Sequence, residues 1–310
     1  MKARSEPSAL LIILAFAAVY LIWGSTYLGI AVAIRSIPPM IMGGTRFLAA
    51  GVILFLWCYF VQKDRPRLKD WKQDGAIGAL MIFGGNGAVV WVEQYLPSGL
   101  VAVAVASIPI WLAVLDRSSW NVTFSRVMPV LGLIIGFLGV IFLFSTGQKI
   151  TLNDSPQATW SIPVLILGNL CWATGTLYSK KIVSSTSVFQ RVSIQMIIGG
   201  LIYAGAGFFT GEWQALSPAE IRLPSLLALL YLIIFGSLVA YLAYIWLLTV
   251  RPAAQVGTYA YVNPAVAVFL GFIFNNEIFS FGMAGALVLI LSGVVLINLS
   301  YRGNKKVPEG

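Results

Sequence analysis

Residues Ala9–Ile34 read ALLIILAFAAVYLIWGSTYLGIAVAI, a stretch without one charged side chain. A helix rises about 1.5 Å per residue, so about 20 apolar residues cross the hydrocarbon core of a bilayer. The run exceeds that length. It is also too long for the apolar part of a signal peptide and is followed at once by another such run, so no cleavable leader is expected. The rest of the 310-residue chain has the same character, with 59% hydrophobic and 10% charged residues, against about 25% charged in soluble domains. So few charges cannot cover a water-facing surface. Most of the surface must face lipid, and a pair of soluble domains is excluded.

Working outward from the first run, comparable stretches recur at about 39–61, 75–92, 98–115, 127–144, 160–179, 191–209, 224–248, 253–274 and 282–300. Barrel strands would be about 10 residues long and alternate in polarity, which these do not. The fold class is therefore an all-α membrane protein with ten transmembrane helices. Gly84, Gly85 and Gly87 in the third run, and Gly132, Gly136 and Gly139 in the fifth, have the small-residue spacing that lets helices approach closely in lipid.

Orientation follows from the basic residues. With the N-terminus in the cytoplasm, sixteen of the 20 Lys and Arg fall in cytoplasmic segments, among them Lys63, Arg65, Arg67, Lys69, Lys72, Arg117, Arg126, Lys180, Lys181 and Arg191. Arg35, Lys149 and Arg222 fall on the other side, and Arg46 within a span. This asymmetry places both termini inside. The net charge of +9 is then an orientation signal rather than a nucleic-acid footprint. Asp64, Asp70 and Asp74 interrupt the basic loop at 63–72 and weaken any cationic patch.

Several chemistries are missing. With no histidine, the commonest metal ligand, general base and pH switch are absent together. Cys58 and Cys171 sit in apolar runs and read as small hydrophobes. There is no phosphate-binding loop, zinc-protease motif or nucleophile elbow. No metal and no cofactor are expected. The Asn121-Val122-Thr123 sequon falls on the cytoplasmic side.

The two halves resemble each other. A shift of 149 residues places Trp23-Gly24-Ser25-Thr26 on Trp172-Ala173-Thr174-Gly175 and Gly51 on Gly200. A shift of 152 places Phe83-Gly84 on Phe235-Gly236, and one of 155 places Pro97 on Pro252 and Pro109 on Pro264. The chain thus divides into residues 1–149 and 150–310, each with five spans. An odd number makes the second unit cross in the opposite sense, giving an inverted repeat of the kind found in secondary transporters.

Certain stretches resemble the EamA type of the drug/metabolite transporter superfamily. They are Leu21-Ile22-Trp23-Gly24-Ser25-Thr26-Tyr27, Gly44-Thr45-Arg46-Phe47-Leu48-Ala49-Ala50-Gly51, Pro97-Ser98-Gly99 leading to Pro109, and Tyr259-Ala260-Tyr261-Val262-Asn263-Pro264 followed by Glu277. The resemblance runs from about residue 9 to 300. It implies a ten-helix exporter of small organic metabolites or drugs in the bacterial cytoplasmic membrane, working without ATP hydrolysis. It also implies a central cavity lined by spans 1, 3, 4, 6, 8 and 9. Such units often carry a Glu 13 residues after the mid-span proline. Glu277 fits after Pro264, whereas Val122 follows Pro109 and Asp116 is out of register.

Among residues that could bind or couple, Arg46 lies within the second span, where a charge costs about 2.5–3.5 kcal/mol on insertion scales. It reads as an anion-binding or gating group, as a structural cation, or as a side chain snorkelling to the interface. Its counterpart in the second unit is Gln195. Glu93 ends the third span and could pair with Arg46, line the outer vestibule or carry a proton; it could also be a helix-end residue in an aromatic belt. Glu277 and Asp116 read as loop-end charges. Trp23, Ser25, Thr26 and Tyr27, with Trp172, Gly175, Thr174 and Thr176, supply polar groups for a bent helix or for close packing. Asn86 binds solute or bridges helices. Tyr241 and Tyr244, and Tyr259 and Asn263, share helical faces, and with Tyr261 bring aromatic and polar groups to spans eight and nine. That wall suits amphipathic or cationic organic solutes, or an ordinary bundle core. Pro109 and Pro264 are hinges or simple kinks.

The functional expectation is an exporter working by alternating access, proton-coupled or gradient-driven. Its partners are a small-molecule substrate and the lipid bilayer, with no nucleic acid, and a monomer is favoured. The alternative is a membrane-embedded enzyme or a sensor or channel-like protein.

Overall fold

In lipid every backbone amide must be satisfied within the chain, so long apolar runs close on themselves as helices. The computed structural model describes residues 7–96, 98–145, 156–182, 184, 186–275 and 281–302, and among them there is helix and no strand. Pro97 and Glu277, the residues at the junction of the two units, and Lys149 lie outside the described residues.

Apart from single turns in the loops, such as Trp120–Thr123 and Glu212–Ala215, the helices are α1 (Ala9–Ala33), α2 (Pro39–Phe60), α3 (Leu68–Val92), α4 (Ser98–Val105), α5 (Ile108–Leu115), α6 (Val127–Ser145), α7 (Pro156–Lys181), α8 (Val188–Phe209), α9 (Leu223–Val250), α10 (Ala253–Val256), α11 (Tyr259–Asn275) and α12 (Phe281–Arg302). Seven are long and apolar enough to cross a membrane: α1, α2, α3, α7, α8, α9 and α12. Val101–Leu115 and Val127–Leu143 are shorter apolar stretches. Large side chains such as Leu10, Phe60, Phe209 and Leu227 stand exposed on the outside of the bundle.

Helix ends are set by local chemistry. Ser8 and Ser187 cap α1 and α8 through their side-chain oxygens. The first turn of α2 is capped from a distance, with Met40 N and Ile41 N donating to Glu212 Oε2 at 2.8 and 3.3 Å. α3 begins at Leu68, seven residues before the expected span, and its first turn is held by Arg67 N donating to Asp70 Oδ2 at 2.8 Å. Similarly, α8 begins at Val188, so Arg191 lies in a helix and not in a loop.

Two features recur in both halves. α3 is wound as a π-helix over Gly78–Asn86, and α9 over Leu232–Tyr241. Such stretches leave carbonyls short of partners and gather at functional sites. The α4–α5 helix breaks at Ala106 and Ser107, and the α10–α11 helix at Gly257 and Thr258. The breaks precede the prolines rather than coincide with them. Pro109 is the second residue of α5, where its missing N–H costs nothing, while Pro264 lies inside α11.

Side chains from neighbouring helices tie down both breaks. Ser107 Oγ donates to Ala104 O at 2.7 Å, and Asn169 Nδ2 of α7 donates to Ala104 O and Ser107 Oγ at 2.7 and 3.1 Å. In the second half Thr258 Oγ1 donates to Gln255 O at 2.7 Å, and Tyr20 OH of α1 meets Thr258 Oγ1 at 2.6 Å.

The packing follows one scheme twice. α2 lies along α8, and α6 along α12. α1 packs on α9 and α11, as α7 packs on α3 and α5. Glycine makes the tightest crossings possible. A Cβ at Gly51 would sit 2.9 Å from Ile197 N, and one at Gly200 would sit 2.8 Å from Leu48 N. Gly132, Gly136 and Gly139 line the α6–α12 seam, where a Cβ at Gly293 would reach 2.5 Å from Gly136 N.

Candidate functional site: a cavity walled by both halves

The Lys- and Arg-rich loops gather at one end of the bundle. There Ser187 N donates to Asp64 Oδ2 at 2.7 Å and Ser184 Oγ to Asp70 Oδ1 at 3.1 Å. At the far end Arg222 N donates to Ser36 Oγ at 3.1 Å, close to Arg35. Between mid-depth and the far end lies a cavity with about 640 Å³ of empty space, open space at its mouth included.

Nine of the residues singled out from the sequence line it: Trp23, Thr26, Tyr27, Arg46, Asn86, Trp172, Tyr241, Tyr259 and Asn263. They come from α1, α2, α3, α7, α9 and α11. α5 contributes Ile108, and α4 contributes Val105. The wall therefore includes the second long helix, through Arg46 and Phe47, in addition to the six spans expected.

Aromatic rings make the core of the wall. Trp23 packs against Trp172, Tyr244 and Tyr259 with centroids 5.5, 5.0 and 4.8 Å away. Its Nε1 donates to Gly236 O at 3.1 Å. The Trp172 ring covers Gly85, where a Cβ would come within 2.8 Å of Cε3. Each tryptophan thus engages a glycine in the π-wound segment of the opposite half. Only glycine admits the second contact.

Polar groups are few and placed singly. Arg46 is 3% exposed, so it does not snorkel. Its Nε donates to Ser237 Oγ at 2.9 Å, its guanidinium stands 4.6 Å from the Phe47 ring centre, and its Nη1 is buried without a partner. Asn86 Oδ1 accepts from Tyr203 OH at 3.0 Å. With its amide nitrogen turned to the backbone, Asn263 donates to Tyr259 O and Tyr20 O at 3.0 and 3.2 Å. Both Glu93 oxygens are buried without a hydrogen-bond partner, one turn beyond the lining residue Val89 on α3.

The other candidates stand elsewhere. Tyr244 is behind the wall, its OH shared with Thr176 at 2.8 Å. Gln195 lies below the cavity, joined to Tyr241 OH at 2.7 Å. Ser25 turns away to Tyr231 OH and Ile22 O. Thr174 is exposed on the outer face of α7, while its neighbour Thr176 points inward. Tyr261 bonds Leu133 O at 3.0 Å and anchors α6. Asp116 accepts from Ser118 and Ser119 at the basic end. Cys58 and Cys171 are free thiols within the packing.

Sequence reasoning missed two groups. Asn169, a lone amide in an apolar run, both lines the cavity and clamps the α4–α5 break. Asp74 and Arg191, read from the sequence as loop charges, form a buried ion pair at 3.2 Å.

Comparison with known proteins agrees with this construction. The EamA-like transporter family matches the chain twice, over residues 10–145 and 159–299. The inner membrane transporter YedA of Escherichia coli (strain K12) is 35% identical over 283 residues, covering 91% of this chain and 89% of that one. The transporter YvbV of Bacillus subtilis (strain 168) is 27% identical over 295 residues, covering 94% and 92%. One crystal structure superposes with a TM-score of 0.75 at 15% identity, over 96% of this chain and 100% of the other, a likeness of fold. Two matched copies and a full-length relative make this chain a member of the EamA-like transporter family.

Proposed function

We propose that the chain is a secondary transporter of the bacterial inner membrane that exports small amphipathic organic solutes by alternating access. The observation that carries this reading is the cavity itself. Its aromatic wall is assembled from both halves, and its polar handles are scattered groups, Thr26, Arg46, Asn86, Asn169 and Asn263, rather than a catalytic cluster. In this reading α4–α5 and α10–α11 each count as one broken span, giving ten spans in two inverted five-helix repeats, residues 1–149 and 150–310, with both termini in the cytoplasm. The paired helix contacts, the two π-wound segments and the two clamped breaks support that symmetry. The basic end is then cytoplasmic, and the cavity opens to the outside.

Transport needs no cofactor and no nucleic acid, and one chain contains a whole cavity. With no histidine, proton coupling would run through a carboxylate. Glu93, buried near the cavity's outer end, is the group assigned to it. Solute counterflow in proteoliposomes tests the proposal. Vesicles loaded with unlabelled solute should accumulate the labelled form transiently. Failure across amino acids, purines, cationic dyes and sugars, or chemical conversion of the solute, would overturn it.

A further inference from the structure

Arg46 and Gln195 are counterparts in the two halves, 149 positions apart, yet their surroundings are opposite. Arg46 faces the open cavity with Nη1 unpartnered. Gln195 is fully engaged, its Nε2 donating to Asp74 Oδ1 at 2.8 Å and its Oε1 accepting from Tyr241 OH at 2.7 Å. Asp74 Oδ1 also takes Arg191 Nε at 3.2 Å, and Arg191 Nη2 donates to Ser179 O at 3.1 Å. The Arg191 and Asp74 side chains are only 7% and 0% exposed.

This network joins α3, α7, α8 and α9 beneath the cavity. Its top member, Tyr241, is part of the cavity wall. Along α3, Asp74 precedes by 12 residues Asn86, which lines the cavity. A closed, buried ion pair thus lies between the cavity and the basic end, although Asp74 Oδ2 has no partner. At the far end the charges are apart: Glu93 has two buried, unpartnered oxygens, and no carboxylate among the described residues lies within 4.0 Å of Arg46.

We propose that Asp74 and Arg191 are the inner gate of the transport cycle, and that Arg46 and Glu93 are the outer gate that closes when the inner one opens. The inference rests on the alternating-access reading above. Two opposite charges can separate cheaply only where water reaches them, and they must pair where water is expelled. Opening the basic end hydrates Asp74 and Arg191. Closing the far end dries Arg46 and Glu93 and drives them together.

The signs of two substitutions test this. Asp74→Asn leaves Arg191 buried alone in the closed state, whereas the pair Asp74→Leu with Arg191→Met removes both desolvation costs from it. The probe is Met81→Cys, just below Tyr241, in a Cys58→Ala, Cys171→Ala background. It is labelled by a membrane-impermeant maleimide from the cytoplasmic face of inside-out vesicles. Asp74→Asn should raise the labelling rate about tenfold or more, and the apolar double should lower it below the parent. If Asp74→Asn does not fold, the double variant decides alone, with unchanged or faster labelling counting against the gate. Equal shifts in both variants, or none, overturn the proposal. Labelling needs no solute, so opposite shifts without counterflow would sink the transporter reading and keep the gate. Normal counterflow with unmoved labelling would do the reverse.

Discussion

Trp23 and Trp172 meet edge to face, with ring centroids 5.5 Å apart and planes at 77°. Trp23 bonds to a glycine carbonyl in α9, and Trp172 lies on a glycine in α3. The two rings are matching positions of the repeat, so the centre of the cavity is where the halves touch.

Trp172→Ala removes the ring that covers Gly85 and the edge that supports Trp23. Solute affinity should fall at least about tenfold, or about 1.4 kcal/mol, as read by thermal shift and counterflow. Thr174→Ala, two residues away on the exposed face, should stay within about 0.5 kcal/mol of the parent in stability and leave affinity unchanged. Comparable losses in both would remove the cavity assignment.

Gly85→Ala places a Cβ 2.8 Å from Trp172 Cε3 and 3.0 Å from its Cβ. Overpacking of this kind costs about 1–3 kcal/mol. The melting temperature in detergent should drop, and intrinsic tryptophan fluorescence should shift as the ring is displaced. An unchanged spectrum would mean the ring is not held there.

Glu93→Gln should abolish pH-gradient-driven uptake into inverted vesicles while exchange continues, because the amide keeps an oxygen for Arg46 but carries no exchangeable charge. Glu93→Ala should slow both, since Arg46 then has no partner when the far end closes. Equal behaviour of the two variants would argue against the role given to this acid.

Glu212 caps α2 from outside the membrane span, and burial pushes its carboxyl above the ordinary value of 4.5, against the pull of the Ile41 and Met40 amides. A raised acid is favoured protonated in the fold. Its contribution is therefore full below the ordinary value and lost as pH rises through the raised one. Relative to Glu212→Gln, the parent's melting temperature should fall over that window. A parallel pH dependence in the two proteins would contradict it.

Much of this arrangement was legible because it depends on apolar length and on rare polar residues within it. Ala9–Ala33 and Pro39–Phe60 follow the apolar runs almost to the residue. Arg46, Asn86 and Asn263 stand out in their spans as groups that lipid would not tolerate on its own side. Helical phase was not legible. α7 carries small polar residues on several faces with no net amphipathic direction, so nothing in the pattern separates inward Thr176 from outward Thr174. The π-wound segments shift that phase again and have no compositional mark. Asp74 and Arg191 were hidden for another reason. A charge count along the chain assigns each to a loop, whereas their pairing joins residues 117 apart.

The reciprocal seating of Trp23 and Trp172 also says what one half alone would lack. Residues 1–149 supply one ring and one seat, and residues 150–310 supply the complementary set. In the proposed inverted-repeat reading, neither five-helix unit walls the cavity alone, since its lining comes from both halves. Two separate chains of such a unit, inserted in opposite senses, would rebuild the same chamber at their interface. Coexpressed halves should therefore regain activity that each lacks alone.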